Sequence, residues 1–242
     1  MIGKSEIKRV VGLHQKKVRK ETGLFIAEGP KVIHEFLASG FRLVNLYVTD
    51  REQGRFLNCN QIVVSPSDLS RMSVLTTPAG CLAVFAMREA QPLPNCGLIV
   101  VLDEVKDPGN LGTIIRLCDW FGINHIVLSE ASVDVYNPKV IQATMGSLAR
   151  VAVSYTTIRT FLQQATLPIL GTYMEGENLY TVNLPGEAIV VFGNEANGIS
   201  ADIESFIQKR LSIPRFGTIQ AAESLNVATA AAITLSEFCR RA

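Results

Sequence analysis

Short apolar runs alternate with amphipathic stretches along the whole of this 242-residue chain. In its first part, residues 24–28 (LFIAE), 43–49, 61–64 and 81–87 have the length and patterning of strands. Helical spacing occupies residues 5–13 and 31–38, the second opened by Pro30 and stopped by Gly40. A short helix is expected near 51–57, and another after Ser65 and Pro66. Residues 88–97 (REAQPLPNCG) hold two prolines, one glycine and few apolar positions, and read as a linker. Beyond it the pattern becomes stricter. Buried-strand runs fall at 98–102, 125–128, 151–155, 169–172, 188–192 and 211–213. Helical stretches at 111–121, 138–149, 157–165, 201–208 and 225–240 fill the gaps. Continuous apolar strands alternating with helices predict an α/β fold whose parallel sheet is covered on both faces. The expected organisation is a smaller α/β domain over residues 1–90 and a parallel-sheet α/β domain over 97–242.

Composition narrows the class. The chain is 48% hydrophobic and 19% charged, with no apolar stretch suited to a membrane span. The N-terminus is basic but lacks the apolar core of a secretory signal. Five scattered cysteines without a CxxC pair suggest small buried hydrophobes in a reducing cytosol, and indicate no zinc site. A cytoplasmic protein with no membrane partner is expected. The formal net charge is only +1, yet Lys4, Lys8, Arg9, Lys16, Lys17, Arg19 and Lys20 face Glu6 alone within the first twenty residues. A lone basic run is usually a solvated helix and turn, but a basic edge on a balanced protein also steers polyanions.

Three segments carry candidate chemistry. The first, DEVKDPGNLGTIIRLCDWFG, follows a strand and contains Asn110 and Arg116. Asn110 suits a helix cap, whereas Arg116 lies among apolar neighbours, where a guanidinium wants a carboxylate or phosphate. The second, VVFGNEANGIS, follows the strongest strand; a turn explains Gly193 and Asn194 but not Glu195, which could pair with Arg116. The third begins IPRFG and reaches Ser224, Leu225 and Asn226 before an alanine-dense helix. Ser224 reads as that helix's N-cap, leaving Asn226 without a capping task. GNLG lacks the G-x-G-x-x-G spacing and the following acidic residue of a dinucleotide site, which disfavours a nicotinamide enzyme. Polar strand ends at wide spacing suggest one site at the edge of an α/β sheet.

Together the segments resemble the three motifs of the SpoU/TrmH branch of the SPOUT RNA methyltransferases. Asn110, Gly112 and Arg116 match the first; Gly193, Asn194, Glu195 and Gly198 the second; Ile213, Pro214, Ser224, Leu225, Asn226, Val227 and Ala228 the third. Asn137, Pro138 and Lys139, with the run 143–148, match the stretch between them, and residues 15–37 resemble the family's substrate-binding domain. Thr144, Thr229 and Cys118 depart from the usual residues without removing a polar motif position.

The resemblance implies a 2′-O-ribose methyltransferase that uses S-adenosylmethionine. It implies a deep trefoil knot in the C-terminal domain and a homodimer formed through it. Arg116, Asn110, Glu195, Ser224 and Asn226 become the candidate catalytic residues. Phe192, Gly193, Asn194, Gly198, Ile213, Pro214, Leu225 and Asn226 become the candidate cofactor contacts, and no metal is implied. Lys16, Lys17, Arg19, Lys20 and Lys139 are expected to meet RNA. Ribosomal RNA is the first expectation, because the N-terminal segment resembles that of members directed to it. A transfer-RNA enzyme, a base methyltransferase of the same superfamily and a non-catalytic RNA-binding protein on this fold are the alternatives. The first motif's Asn and Arg favour ribose over base.

Overall fold

The computed structural model describes residues 2–218 and 224–240. The first stretch of chain forms Lys4–Gly12 (α1), Lys16–Thr22 (α2), Leu24–Glu28 (β1), Pro30–Ala38 (α3), Leu43–Val48 (β2), Ile62–Val63 (β3), Pro66–Met72 (α4) and Cys81–Ala86 (β4). Then follow Leu98–Leu102 (β5), Pro108–Trp120 (α5), His125–Ser129 (β6), Pro138–Thr144 (α6), Ala152–Thr156 (β7), Ile158–Gln163 (α7) and Ile169–Tyr173 (β8). Glu177–Asn178 (β9), Ala188–Phe192 (β10), Ala201–Glu204 (α8), Lys209–Ser212 (β11) and Val227–Arg240 (α9) complete the described chain. Its contacts divide it into two compact units, Met1–Glu89 with Asp134–Arg150, and Ala90–Val133 with Val151–Ala242.

In the first unit a mixed four-stranded sheet has the order β1-β4-β2-β3, with β4 antiparallel to both of its neighbours. The apolar face of α1 (Ile7, Val10) packs with Ile26, Tyr47, Leu69 and Leu82 in one core. Serine at the start of α4 works as its position predicts: the Ser65 hydroxyl oxygen accepts the Asp68 N–H at 3.1 Å, with Pro66 in the first turn. The expected helix over 138–149 is instead α6 and a separate 3-10 turn at Ser147–Ala149. Met145 and Gly146 between them are both left-handed, and a Cβ on Gly146 would lie 2.5 Å from Glu35 Cγ. The helix expected near 51–57 is a series of turns, in which Gly54 takes φ +88°.

The second unit is a seven-stranded sheet of order β7-β6-β5-β10-β8-β11-β9, parallel at every pairing. Ile99, Val101, Ile189 and Val191 on one face pack with Ile158, Phe161 and Ile203. Their alternates Val100, Leu102, Val190 and Phe192 are also buried, so both faces are covered, as continuous apolar strands require. Two details differ from the pattern. The helix expected over 201–208 is only α8, and β9 is too short and polar to be legible.

The sheet order fixes where a site belongs. From β5 the chain moves outward through β6 to β7, then crosses to the other side of β5 and β10 to build β8. A crevice therefore opens at the carboxyl ends of β5 and β10, where the winding reverses.

Candidate active site

Two loops leave that reversal and are locked together. Asp103, just past β5, is buried, and its Oδ2 accepts both the N–H of Ser200 at 2.8 Å and its hydroxyl at 2.6 Å. Asn194, just past β10, donates from Nδ2 to the Glu104 carbonyl at 2.7 Å. Its backbone exchanges two hydrogen bonds with Gly198 at 2.8 and 2.9 Å, and its Oδ1 accepts the N–H groups of Ala196 and Asn197. The loop closes so tightly that a Cβ on Gly193 would lie 2.1 Å from the carbonyl carbon of Gly198. Only glycine fits there.

Glu195, on the outer turn of this loop, joins the first segment to the second. Its Oε1 accepts Asn110 Nδ2 at 3.0 Å and the Asp107 N–H at 3.3 Å, and its Oε2 accepts the Lys106 N–H at 3.4 Å. Partial burial alone would raise this carboxyl's pKa. The hydrogen bonds from Asn110 and the backbone outweigh burial and hold it below the ordinary carboxylate value.

The third segment arrives through Asn226, whose Nδ2 donates to Asn110 Oδ1 at 2.8 Å. One chain of side-chain amides and carboxylate thus runs Asn226, Asn110, Glu195, with one member from each motif.

Capping assignments change accordingly. Asn226 Oδ1 accepts the N–H groups of Ala228 at 2.9 Å and Thr229 at 3.3 Å, so Asn226 caps α9 where Ser224 was expected to. Likewise Asp107, not Asn110, caps α5, accepting the Asn110 N–H at 2.8 Å. Asn110 is thereby free to reach across segments, while Asn226 caps with its Oδ1 and reaches across with its Nδ2. Arg116 is exposed on α5 and makes no hydrogen bond or ion pair among the described residues. Its expected pairing with Glu195 is absent, because Asn110 and the backbone N–H groups hold that carboxylate.

A cavity of about 970 Å³ opens beside this chain of contacts. Gly193, Asn194, Gly198, Ile213, Pro214, Leu225 and Asn226 all line it, together with Glu195 and Ser224. Phe192 does not; its side chain is fully buried at the end of β10 and belongs to the core. Residues 219–223 of the third segment lie outside the described residues. Among the lining residues not anticipated are Tyr173 at the end of β8 and Thr234 in α9. Both hydroxyl oxygens are buried and lack a hydrogen-bond partner among the described residues. The only sequence signal was a hydroxyl placed among the apolar positions of an alanine-rich helix.

The expected RNA contacts lie in the first unit. Lys16, Lys17, Lys20 and Lys139 are exposed. Arg19 is not: it is 1% exposed, donates to Asp134 Oδ2 from Nε at 3.0 Å, and donates from Nη1 to the carbonyls of Leu13 and His14 at 2.9 Å each. A guanidinium so enclosed has no face for a phosphate, and Arg19 is corrected to a structural anchor. Buried Cys81 and Cys118 pack as small apolar residues, burial pushing the Cys81 thiol up to about 12 and Cys118 higher still. Among the described residues no cluster of His, Cys, Asp and Glu could hold a metal, and no helix is long and apolar enough to cross a membrane.

The chain is similar in sequence and fold to known proteins. Residues 97–236 match the sequence model of the SpoU rRNA Methylase family, and residues 4–83 match the MRM3-like substrate binding domain. The 23S rRNA (guanosine(2553)-2′-O)-methyltransferase RlmP of Bacillus subtilis is 30% identical over 232 residues, 91% of this chain and 90% of that protein. A solved structure assigned to the TrmH family of RNA methyltransferases, from Porphyromonas gingivalis, superposes with a TM-score of 0.90 at 37% identity over 100% of both chains. The AdoMet-bound rRNA methyltransferase of Sinorhizobium meliloti superposes with a TM-score of 0.87 at 27% identity, over 100% of this chain and 96% of that one.

Proposed function

We propose that this chain, which belongs to the SpoU rRNA methylase family, methylates a ribose 2′-hydroxyl in ribosomal RNA with S-adenosylmethionine as donor. The observation that carries the reading is the chain from Asn226 through Asn110 to Glu195, which ties the three motif segments together at one cavity. The cavity's volume falls in the range of small-molecule sites, about 300–1,000 Å³. Its closed glycine loop and two hydroxyls without a partner among the described residues fit a ligand held by backbone groups and a few side-chain contacts. Gly193, Asn194, Gly198, Ile213, Pro214, Leu225 and Asn226 would hold the donor, whose sulfonium supplies the methyl group and the leaving group.

The protein's own part is position and charge. Asn110 and Asn226 order the site's rim, Glu195 fixes Asn110, and Ser224 lines the cavity beside them. Arg116 always carries its charge and has no partner among the described residues, so its guanidinium is available to an RNA phosphate next to the reacting ribose. It orients the hydroxyl and offsets developing negative charge, while phosphate or water takes the proton.

Residues 1–90 form the RNA-binding domain in this reading, with Lys16, Lys17 and Lys20 as phosphate contacts; residues 97–242 form the methyltransferase domain, which adds Lys139 as a further phosphate contact. The MRM3-like match and the name of the Bacillus subtilis relative support ribosomal over transfer RNA. A knotted C-terminal chain and a homodimer belong to the same reading. Trp120, 84% exposed on α5 one turn beyond Arg116, is the side chain a second copy would cover. Free thiols and the ribosomal substrate suit the cytoplasm.

Arg116→Ala tests the assignment: turnover on matched RNA falls by about 100-fold or more with an unchanged melting temperature. Near-normal turnover of the folded variant would remove Arg116 from the reaction.

A further inference from the structure

Threonines inside helices usually satisfy their hydroxyls on the preceding turn, and two in this protein do so. Thr22 donates to the Val18 carbonyl at 2.7 Å and Thr144 to the Ile141 carbonyl at 2.8 Å. Thr234 does neither. It is 1% exposed, sits in the middle of α9, and its hydroxyl has no partner among the described residues. An unpaired buried hydroxyl costs the folded state its desolvation with nothing in return, so such groups are rare outside sites where a ligand completes them. Thr234 lines the large cavity with Val227 and Ala230, at i, i+3 and i+7 on one face of α9.

The chemistry of that face decides which part of a ligand it can receive. Val227 and Ala230 are apolar, and Ala230 leaves room for a flat group to approach the helix. Val227, Ala230 and Thr234 carry no charge, so a charged amino-acid end laid against this face would lose hydration without a counter-charge from it, and the cavity's charged residues lie on other segments, Glu175, Glu195, Arg210 and Arg215. An uncharged heteroaromatic nucleoside instead buries its ring faces on the alkyl groups and offers a nitrogen or hydroxyl at its edge. We propose that the Thr234 hydroxyl recognises the adenosine half of S-adenosylmethionine. The inference rests on the cofactor reading above and adds to it a residue outside the three motif segments' polar positions.

The test is calorimetric titration with S-adenosylhomocysteine and with 5′-methylthioadenosine, which lacks the amino-acid half. Native protein, Thr234→Val and Thr234→Ser are compared. Valine keeps the shape and removes only the hydroxyl. It should weaken both ligands by about three- to tenfold, the range of one neutral hydrogen bond, while serine stays close to native. Because the hydroxyl is unpaired without ligand, ligand-free Thr234→Val should melt no lower than native protein. Unchanged affinity for both ligands would overturn the proposal. So would weakening confined to S-adenosylhomocysteine, which places the hydroxyl at the amino-acid end, or a lower melting temperature of the ligand-free variant, which reveals a structural partner. Failure of the native protein to bind either ligand contradicts the cofactor reading itself.

Discussion

Glu195 shows how one residue can be both a charge and a fastener. It accepts hydrogen bonds from the Asn110 amide and from the N–H groups of Lys106 and Asp107, and no cation neutralises it among the contacts described. Its pKa lies below the ordinary value in the folded protein, so the ionised form contributes stability at pH values above the unfolded value, about 4.3. That contribution disappears as pH falls through the folded value. Glu195→Gln keeps the shape but turns one acceptor into a donor facing N–H groups. Its melting temperature is expected below native at pH 7, with the difference closing as pH drops below about 4. A difference that is the same at pH 7 and pH 3.5 would show that charge plays no part.

Asn226 and Arg19 mark the limits of reading single residues in a sequence. In the sequence Ser224 reads as the helix cap, and Asn226, two positions on, as a residue with no capping task. The helix begins at Val227, so Asn226 is the cap and reaches Asn110 as well. Arg19 sits in a run of lysines and arginines that reads as solvated. Its register on α2 turns it inward to Asp134, more than one hundred residues away, and no local pattern announces such a partner.

At the scale of elements, the buried strands were the most legible part of the chain. Runs such as LIVVL and AIVVF, buried on both faces, carry enough apolar side chains to be strands of a parallel sheet and little else. Short or polar elements were not legible. The segment near 51–57 and the split after α6 depend on backbone turned by Gly54, Met145 and Gly146, all left-handed, and at Gly146 the space a Cβ would need is filled by Glu35, distant in sequence. The glycine-rich loop after β10 was legible as special but not as closed. Its closure predicts that Gly193→Ala, which adds one methyl, forces the loop away from Gly198. Binding of S-adenosylhomocysteine should fall by at least tenfold, while the melting temperature of the whole fold changes far less than for a core cavity. Native-like affinity in a titration would mean that the loop adapts and that its closed form is not required.

At the scale of the whole molecule, sheet topology does what no single motif can. Reversal of winding at β5 and β10 brings the ends of those strands, and the start of α9, to one crevice. Three segments separated by up to 116 positions become one chain of side chains there. The family motifs could be read from sequence because those positions are polar where strand ends need no polarity. Thr234 could not, since a hydroxyl within an apolar helix is too weak a signal to name a site until the cavity beside it is seen.

The most direct test is to map ribose methylation in ribosomal RNA that the purified protein has treated with S-adenosylmethionine. The RNA comes from cells deleted for the gene, and Arg116→Ala serves as control. The account predicts one alkali-resistant 2′-O-methylated nucleotide, absent from untreated RNA and from the control. Methyl groups recovered on bases, or no transfer to ribosomal RNA by protein that binds the donor, would contradict it.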